Sequence, residues 1–180
     1  MIREFSVRPK PTNNKARILF IVCSALAFAL VTLSTVIRLY RGLVSMAGVV
    51  LLTLALALYT KYILPVYFYD IFIDSDGTPL FVVRQQTGKR HTTLCRIPLY
   101  EIVRVEKQSR QQRREHKTPY EVKKYAYLPT VDPDVVFRIT TSSRHERAEI
   151  LIESSEGFAE LLSAYSKEAR EMRESEEDEY

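Results

Sequence analysis

Glycine is scarce in this chain and tryptophan is absent: 180 residues hold five glycines, two cysteines and three histidines. Each shortage removes a class of chemistry. No glycine-rich loop leads from a strand into a helix, so nucleotide phosphates have no cradle of backbone N–H groups. Cys23 lies in an apolar run and Cys95 stands alone further on, so no disulfide framework is possible, and a lone thiol suits a reducing cytoplasm. His91, His116 and His145 fall in separate segments, without the His-x-x-x-His or Cys-x-x-Cys spacing that would fix a metal. Asp74 and Asp76 in "DSDG" open like a calcium loop, but position 85 is glutamine where a bidentate glutamate is needed, so the segment reads as a turn. Ser142 and Ser143 beside His145 lack a nucleophile elbow. The sequence therefore implies no metal, no cofactor and no catalytic constellation.

Charge is missing altogether from two stretches, the 20 residues 18–37 and the 19 residues 42–60. At about 1.5 Å per residue each forms a helix of roughly 30 Å, the thickness of a bilayer's hydrocarbon core. Between them "RLYR" (Arg38 to Arg41) is too short for anything but the tip of a helical hairpin, with Tyr40 and the arginines at the membrane surface. A cleaved signal peptide fits less well, because its apolar region spans about 7–15 residues and here a second span follows at once. A buried hairpin fits less well too, since almost no polar face interrupts either run. Arg3, Arg8, Lys10, Lys15, Arg17 and Lys61 flank the outer ends of the spans, against Arg38 and Arg41 in the tip. The excess of positive charge predicts both termini in the cytoplasm, with the chain in the cell (inner) membrane.

The remaining residues are enough for one soluble domain. Residues 1–17 read as a basic cytoplasmic tail, 18–64 as the hairpin, 65–173 as the domain and 174–180, "ESEEDEY", as an acidic disordered end. Alternating segments at 66–73, 79–86, 91–97 and 101–108 read as strands in two successive hairpins, the first closed by "DG". Segments 122–128, 134–141 and 148–154 follow. Phe158, Leu161, Leu162, Tyr165, Ala169 and Met172 then recur at helical spacing behind Ser155 as N-cap, with Glu156 in the first turn. The expected fold class is a membrane α-helical hairpin plus an α+β domain of about seven antiparallel strands, capped by one amphipathic helix.

This order of elements is that of the pleckstrin-homology (PH) superfold. The chain resembles bacterial proteins in which two N-terminal spans precede a PH-like domain. The resemblance rests on the two-span hairpin, the tyrosine-rich strand leaving the membrane, and "RIPLYEIVRVE" (96–106), similar to that group's Ile-Pro, short turn and Ile-led strand. It implies a partly open PH-like barrel and a binding module. Eukaryotic PH domains usually hold a tryptophan in the last helix, which this chain lacks. Phosphoinositide-binding members carry basic residues in the first hairpin, where Asp74 and Asp76 stand here, so that activity does not carry over.

Positive charge gathers in the strands. Residues 84–147 hold 15 Lys and Arg against 7 Asp and Glu, while 148–180 hold 3 against 11. In an up-and-down run of strands, the turns after strands two and four share an end with the start of strand one, which the second span ties to the bilayer. That places Lys89, Arg90, Arg110, Arg113, Arg114 and Lys117 on the membrane-facing side, near anionic lipid headgroups. Two readings of "RQQRREHK" stand side by side: a lipid-facing surface and a merely solvated loop. Nucleic acid is not expected as a partner, because no aromatic residues interleave the basic run. The expected function is a non-catalytic binding or scaffolding module, an accessory subunit or adaptor of a membrane assembly with a protein partner. The alternatives are a membrane-bound enzyme without a sequence signature and an anionic-lipid sensor.

Overall fold

Helices α1 (Lys15–Val36) and α2 (Arg41–Leu58) take up the two uncharged runs in a computed structural model that describes residues 2–11, 13–36, 40–116, 122–142 and 147–178. A π-helical turn, Tyr59–Ile63, prolongs α2. With mean hydropathies of 2.4 for Lys15–Val36 and 2.2 for Arg41–Ile63, both helices are long and apolar enough to cross a membrane. They run antiparallel: the ring of Phe20 lies 5.5 Å from that of Tyr59, and Gly48 packs on Val31 and Ala27. The buried residues at the crossing are small, namely Ala16, Cys23, Ala27 and Ser34 on one helix and Gly48 and Ala55 on the other. Lipid offers no hydrophobic drive between helices, so close backbone approach through small residues is what holds such a pair. Arg38 and Leu39 of the expected tip lie outside the described residues.

The hairpin is inserted into a sheet. Strand β1 (Phe5–Val7) precedes it and β2 (Pro65–Ile73) follows within two residues of the π turn, and the two pair antiparallel with Phe5 opposite Ile71 and Val7 opposite Tyr69. The basic tail read over 1–17 belongs in part to the domain: three of its residues are a sheet edge and Ile2 is buried in the core. β2 continues into β3 (Pro79–Thr87) and β4 (Arg90–Pro98), giving one sheet of order β1-β2-β3-β4. Its turns use glycine at positive φ, Gly77 at 85° and Gly88 at 61°, where a Cβ would be strained.

A 3-10 turn, Leu99–Glu101, carries the chain from this sheet to a second one. That sheet holds β5 (Ile102–Ser109), β6 (Lys123–Tyr127), β7 (Val135–Ser142) and β8 (Arg147–Ile152) in the order β5-β7-β8-β6. Two expectations fail here. β4 and β5 are not a hairpin, because the buried Leu99 pins a corner between sheets. The order is also not up-and-down, since β6 pairs parallel to β8 at the far side of the sheet. β5 and β6 therefore point the same way, and the segment between them crosses from one end of the sheet to the other. Same-direction strands need a connection of about a dozen residues, which residues 110–122 supply. Its first turn is helix α3 (Arg110–Glu115), started by a Ser109 and Gln112 capping box.

Helix α4 (Glu156–Asp178) closes the domain. Ser155 caps it as expected, its hydroxyl accepting from the Phe158 N–H at 3.3 Å. Phe158, Leu162 and Ala169 are buried, and Leu161 and Tyr165 pack beside them, whereas Met172 is exposed. Full burial of Phe158 or Leu162 stabilises the domain by about 1.5–3 kcal/mol each. The helix runs through Asp178, so most of the acidic end expected to be disordered is helical. Tyr69 ties the layers together: from β2 its hydroxyl donates to the Tyr127 carbonyl at 2.7 Å and accepts from the Glu153 N–H at 3.3 Å. Burial pushes that phenol well above its usual range, so it stays a donor.

Candidate functional site

Strand register fixes which loops lie beside the hairpin. Pro65 pairs with Thr87, and Thr87 with Arg90, so the turn holding Lys89 and Arg90 sits where β2 leaves the hairpin. At the other end Ile73 pairs with Pro79 and Leu80 with Pro98, which puts "DSDG" and the 3-10 turn together, far from the spans. In the second sheet Ser109 pairs with Val135, and Arg113 shares a cavity of about 280 Å3 with Lys61 and Tyr62. The start of α3 is therefore at the hairpin end.

The chemistry of that end differs from the expectation. Arg110 and Arg113 both bond Asp132, the latter at 2.8 Å, and Arg113 also donates to the Pro133 carbonyl at 3.0 Å. These two arginines hold the loop before β7 in place and are largely neutralised. Burial alone would raise the Asp132 carboxyl, but the bond and charge of Arg110 with the charges of Arg113 and Arg114 hold it below its usual range. Of the six predicted residues, Lys89, Arg90 and Arg114 remain exposed, while Lys117 lies outside the described residues. Beyond α3 the chain leaves the hairpin end: His116 reaches the outer face of the second sheet, its Nε2 3.0 Å from Glu149 and its Nδ1 3.1 Å from an Arg138 nitrogen. Arg138 also pairs with Glu106, so this cluster stitches β5, β7 and β8 together.

A second concentration of charge at the hairpin end escaped the sequence reading. Arg8, Lys10 and Arg17 line a cavity of about 380 Å3 together with Asn13, Tyr62 and Tyr67. The sequence counts these cations only as flanks of a span. That they converge follows from β1, which folds the N-terminal segment back against β2. Among the described residues no carboxylate lines the cavity, in contrast to the Asp132 cluster. Burial raises the Tyr67 hydroxyl, keeping it protonated.

On the side of the domain lies a groove of about 540 Å3 between β5 and α4. Val105, Phe137, Ala159 and Ala164 form part of its wall, and Lys107 pairs with Glu156 across it. Among the described residues β5 ends its sheet, bonded to β7, and its Val105 and Lys107 line this groove. Cys95 is half-buried and its thiol is pushed up by burial, which makes it a poor nucleophile. Among the described residues no group of three or more His, Cys, Asp or Glu side chains could hold a metal ion. No protein-family profile, curated protein or solved structure matches the chain.

Proposed function

We propose that this chain is a two-span protein of the cell membrane whose PH-like cytoplasmic domain is a non-catalytic binding module, an adaptor or accessory subunit of a membrane assembly. The observation that carries the reading is the groove under α4 beside β5, a strand that ends its sheet among the described residues. An extended segment of a partner protein can add a strand there, taking main-chain hydrogen bonds from β5 and seating alternate side chains against Val105, Ala159 and Ala164. The attachment supports it as well. With two residues at most between the π turn and β2, and β1 bonded across to β2, the domain is held at the bilayer without a flexible tether. A strand-binding edge in a fixed pose suits assembly with a neighbouring membrane protein. PH-likeness draws support from the two four-stranded sheets with a C-terminal helix, although the order β5-β7-β8-β6 departs from an up-and-down run.

Photo-crosslinking in the native membrane tests this. A photoreactive side chain at the exposed groove position Ser163 should give one discrete adduct, and Gln111 on α3 none. Ala164→Arg, which fills the groove from an exposed position, should abolish the Ser163 adduct. Adducts that persist in Ala164→Arg, or that form equally from Gln111, would rule out the groove as the docking site.

A further inference from the structure

The cavity at the root of the hairpin has the composition and the depth of a lipid-headgroup site. Its depth follows from helix packing. Phe20 faces Tyr59, so one turn further out Ala16 and Arg17 face Tyr62 and Ile63, where both uncharged runs have ended. The headgroup layer extends about 5–8 Å beyond the hydrocarbon core, which is the level of these residues once the spans fill that core. The cavity's 380 Å3 lies within the roughly 300–1,000 Å3 of small-ligand sites.

Three exposed cations, Arg8, Lys10 and Arg17, reach the cavity from the segment before α1 and from its first turn. Two arginines there matter, because a guanidinium matches a phosphate with two parallel N–H donors. Tyr67, buried and protonated, supplies a neutral donor, and the Asn13 amide, which gives one hydrogen to the Val131 carbonyl at 3.4 Å, has a second to offer. Pro9 and Pro11 stiffen the wall, so less order is lost on binding. The spent pairs nearby sharpen the contrast: Asp132 neutralises Arg110 and Arg113, whereas among the described residues no acidic group lines the cavity of Arg8, Lys10 and Arg17.

We propose that this cavity binds a phosphate-bearing anion, and that in the membrane its occupant is the headgroup of an anionic phospholipid. The inference rests on the spanning reading of the hairpin but not on the β5 groove. The lipid bridges span and domain, since α1 contributes Arg17, the segment after β1 contributes Arg8 and Lys10, and β2 contributes Tyr67.

Native mass spectrometry of the full-length protein, released from micelles containing phosphatidylcholine and phosphatidylglycerol, tests it. The unaltered protein should retain phosphatidylglycerol in preference to phosphatidylcholine. Arg8→Gln, Lys10→Gln and Arg17→Gln together should lower that retention about tenfold or more, each cation being worth about fivefold at an anionic surface. Lys89→Gln, Arg90→Gln and Arg114→Gln together should leave it unchanged. Equal loss in the second set would mean diffuse surface attraction, and unchanged retention in the first would overturn the site. If the triple variant misfolds by circular dichroism, Arg8→Gln alone reads the same cavity from an exposed position, with unchanged retention again overturning it. Soluble glycerol phosphate should not displace the lipid at equal concentration; displacement would make the ligand a free phosphate and overturn the lipid assignment. Release of the protein from membranes by alkaline carbonate, without detergent, would sink the spanning reading instead.

Discussion

Asp132 shows how one side chain decides what a basic run does. It sits at a φ of 50°, a left-handed conformation that aspartate and asparagine tolerate better than most residues, and from there it meets both Arg110 and Arg113. Its carboxyl is held below the usual carboxylate range, so the sign of its pH dependence is fixed. A depressed folded-state value means that the unfolded chain binds the proton more readily, and the carboxylate's stabilising effect is present above the unfolded value of about 3.9. It is lost as pH falls through the lower folded value. Asp132→Asn keeps the shape and the backbone preference while removing the charge. Thermal melts in detergent should show Asp132→Asn below the unaltered protein at pH 7, with the gap closing as pH drops through about 4. A gap of the same size at roughly pH 2 would mean that shape and not charge holds the loop. The same pairing explains why a surface of six cations reads larger in the sequence than in the fold: composition shows Arg110 and Arg113 but not the aspartate that reaches them across 22 and 19 positions.

At the scale of elements the hairpin makes the most demanding contact. A Cβ placed on Gly48 would lie 2.9 Å from a Val31 methyl and 3.3 Å from the Ala27 carbonyl oxygen, whereas one on Gly42 would meet nothing within 4 Å. Gly48→Leu should therefore force the helices apart and cost about 1–3 kcal/mol, as overpacking does, while Gly42→Leu serves as the control on the same helix. Unfolding midpoints in mild detergent that are equal for the two variants would contradict the close crossing. Such a contact is invisible in composition, yet the elements that make it were legible, because 20 and 19 uncharged residues admit little else. All seven predicted strands lie within two residues of their expected bounds, since period-two alternation and the turns at Gly77 and Gly88 are local signals. What was not legible is long-range. β1 has three residues, too few for any periodicity, and exists only through pairing with a partner beyond the whole hairpin. β6, "KKYAY", is exposed along most of its length and takes its place from the parallel edge of β8, which no local pattern announces. The cationic cavity was missed for the same reason, being a product of β1.

For the whole molecule, the pairing of β1 with β2 carries a topological consequence. Phe5–Val7 and Tyr69–Ile71 share hydrogen bonds, so a hairpin that spans a bilayer must enter and leave it on one side, whatever that side is. An even number of crossings is required, and two helices that meet the length and hydropathy of a span supply it. The side is then set by charge. Arg3, Arg8, Lys10, Lys15, Arg17 and Lys61 flank the outer ends of the two uncharged runs, against Arg38 and Arg41 in the sequence between them. Positive charge resists translocation, so the domain end should remain cytoplasmic. The two inferences come apart in a labelling experiment on intact cells. In a background with Cys23→Ala and Cys95→Ala, a cysteine at Tyr40 should react with a membrane-impermeant maleimide applied from outside, and cysteines at Ser6 and Lys89 only after permeabilisation. Reaction of Ser6 and Lys89 but not Tyr40 in intact cells would invert the orientation while leaving the β1 and β2 pairing intact. Reaction of only one of Ser6 and Lys89 would be incompatible with the sheet itself, because those two positions would then lie on opposite sides of the bilayer although β1 pairs with β2 and β2 pairs with β3.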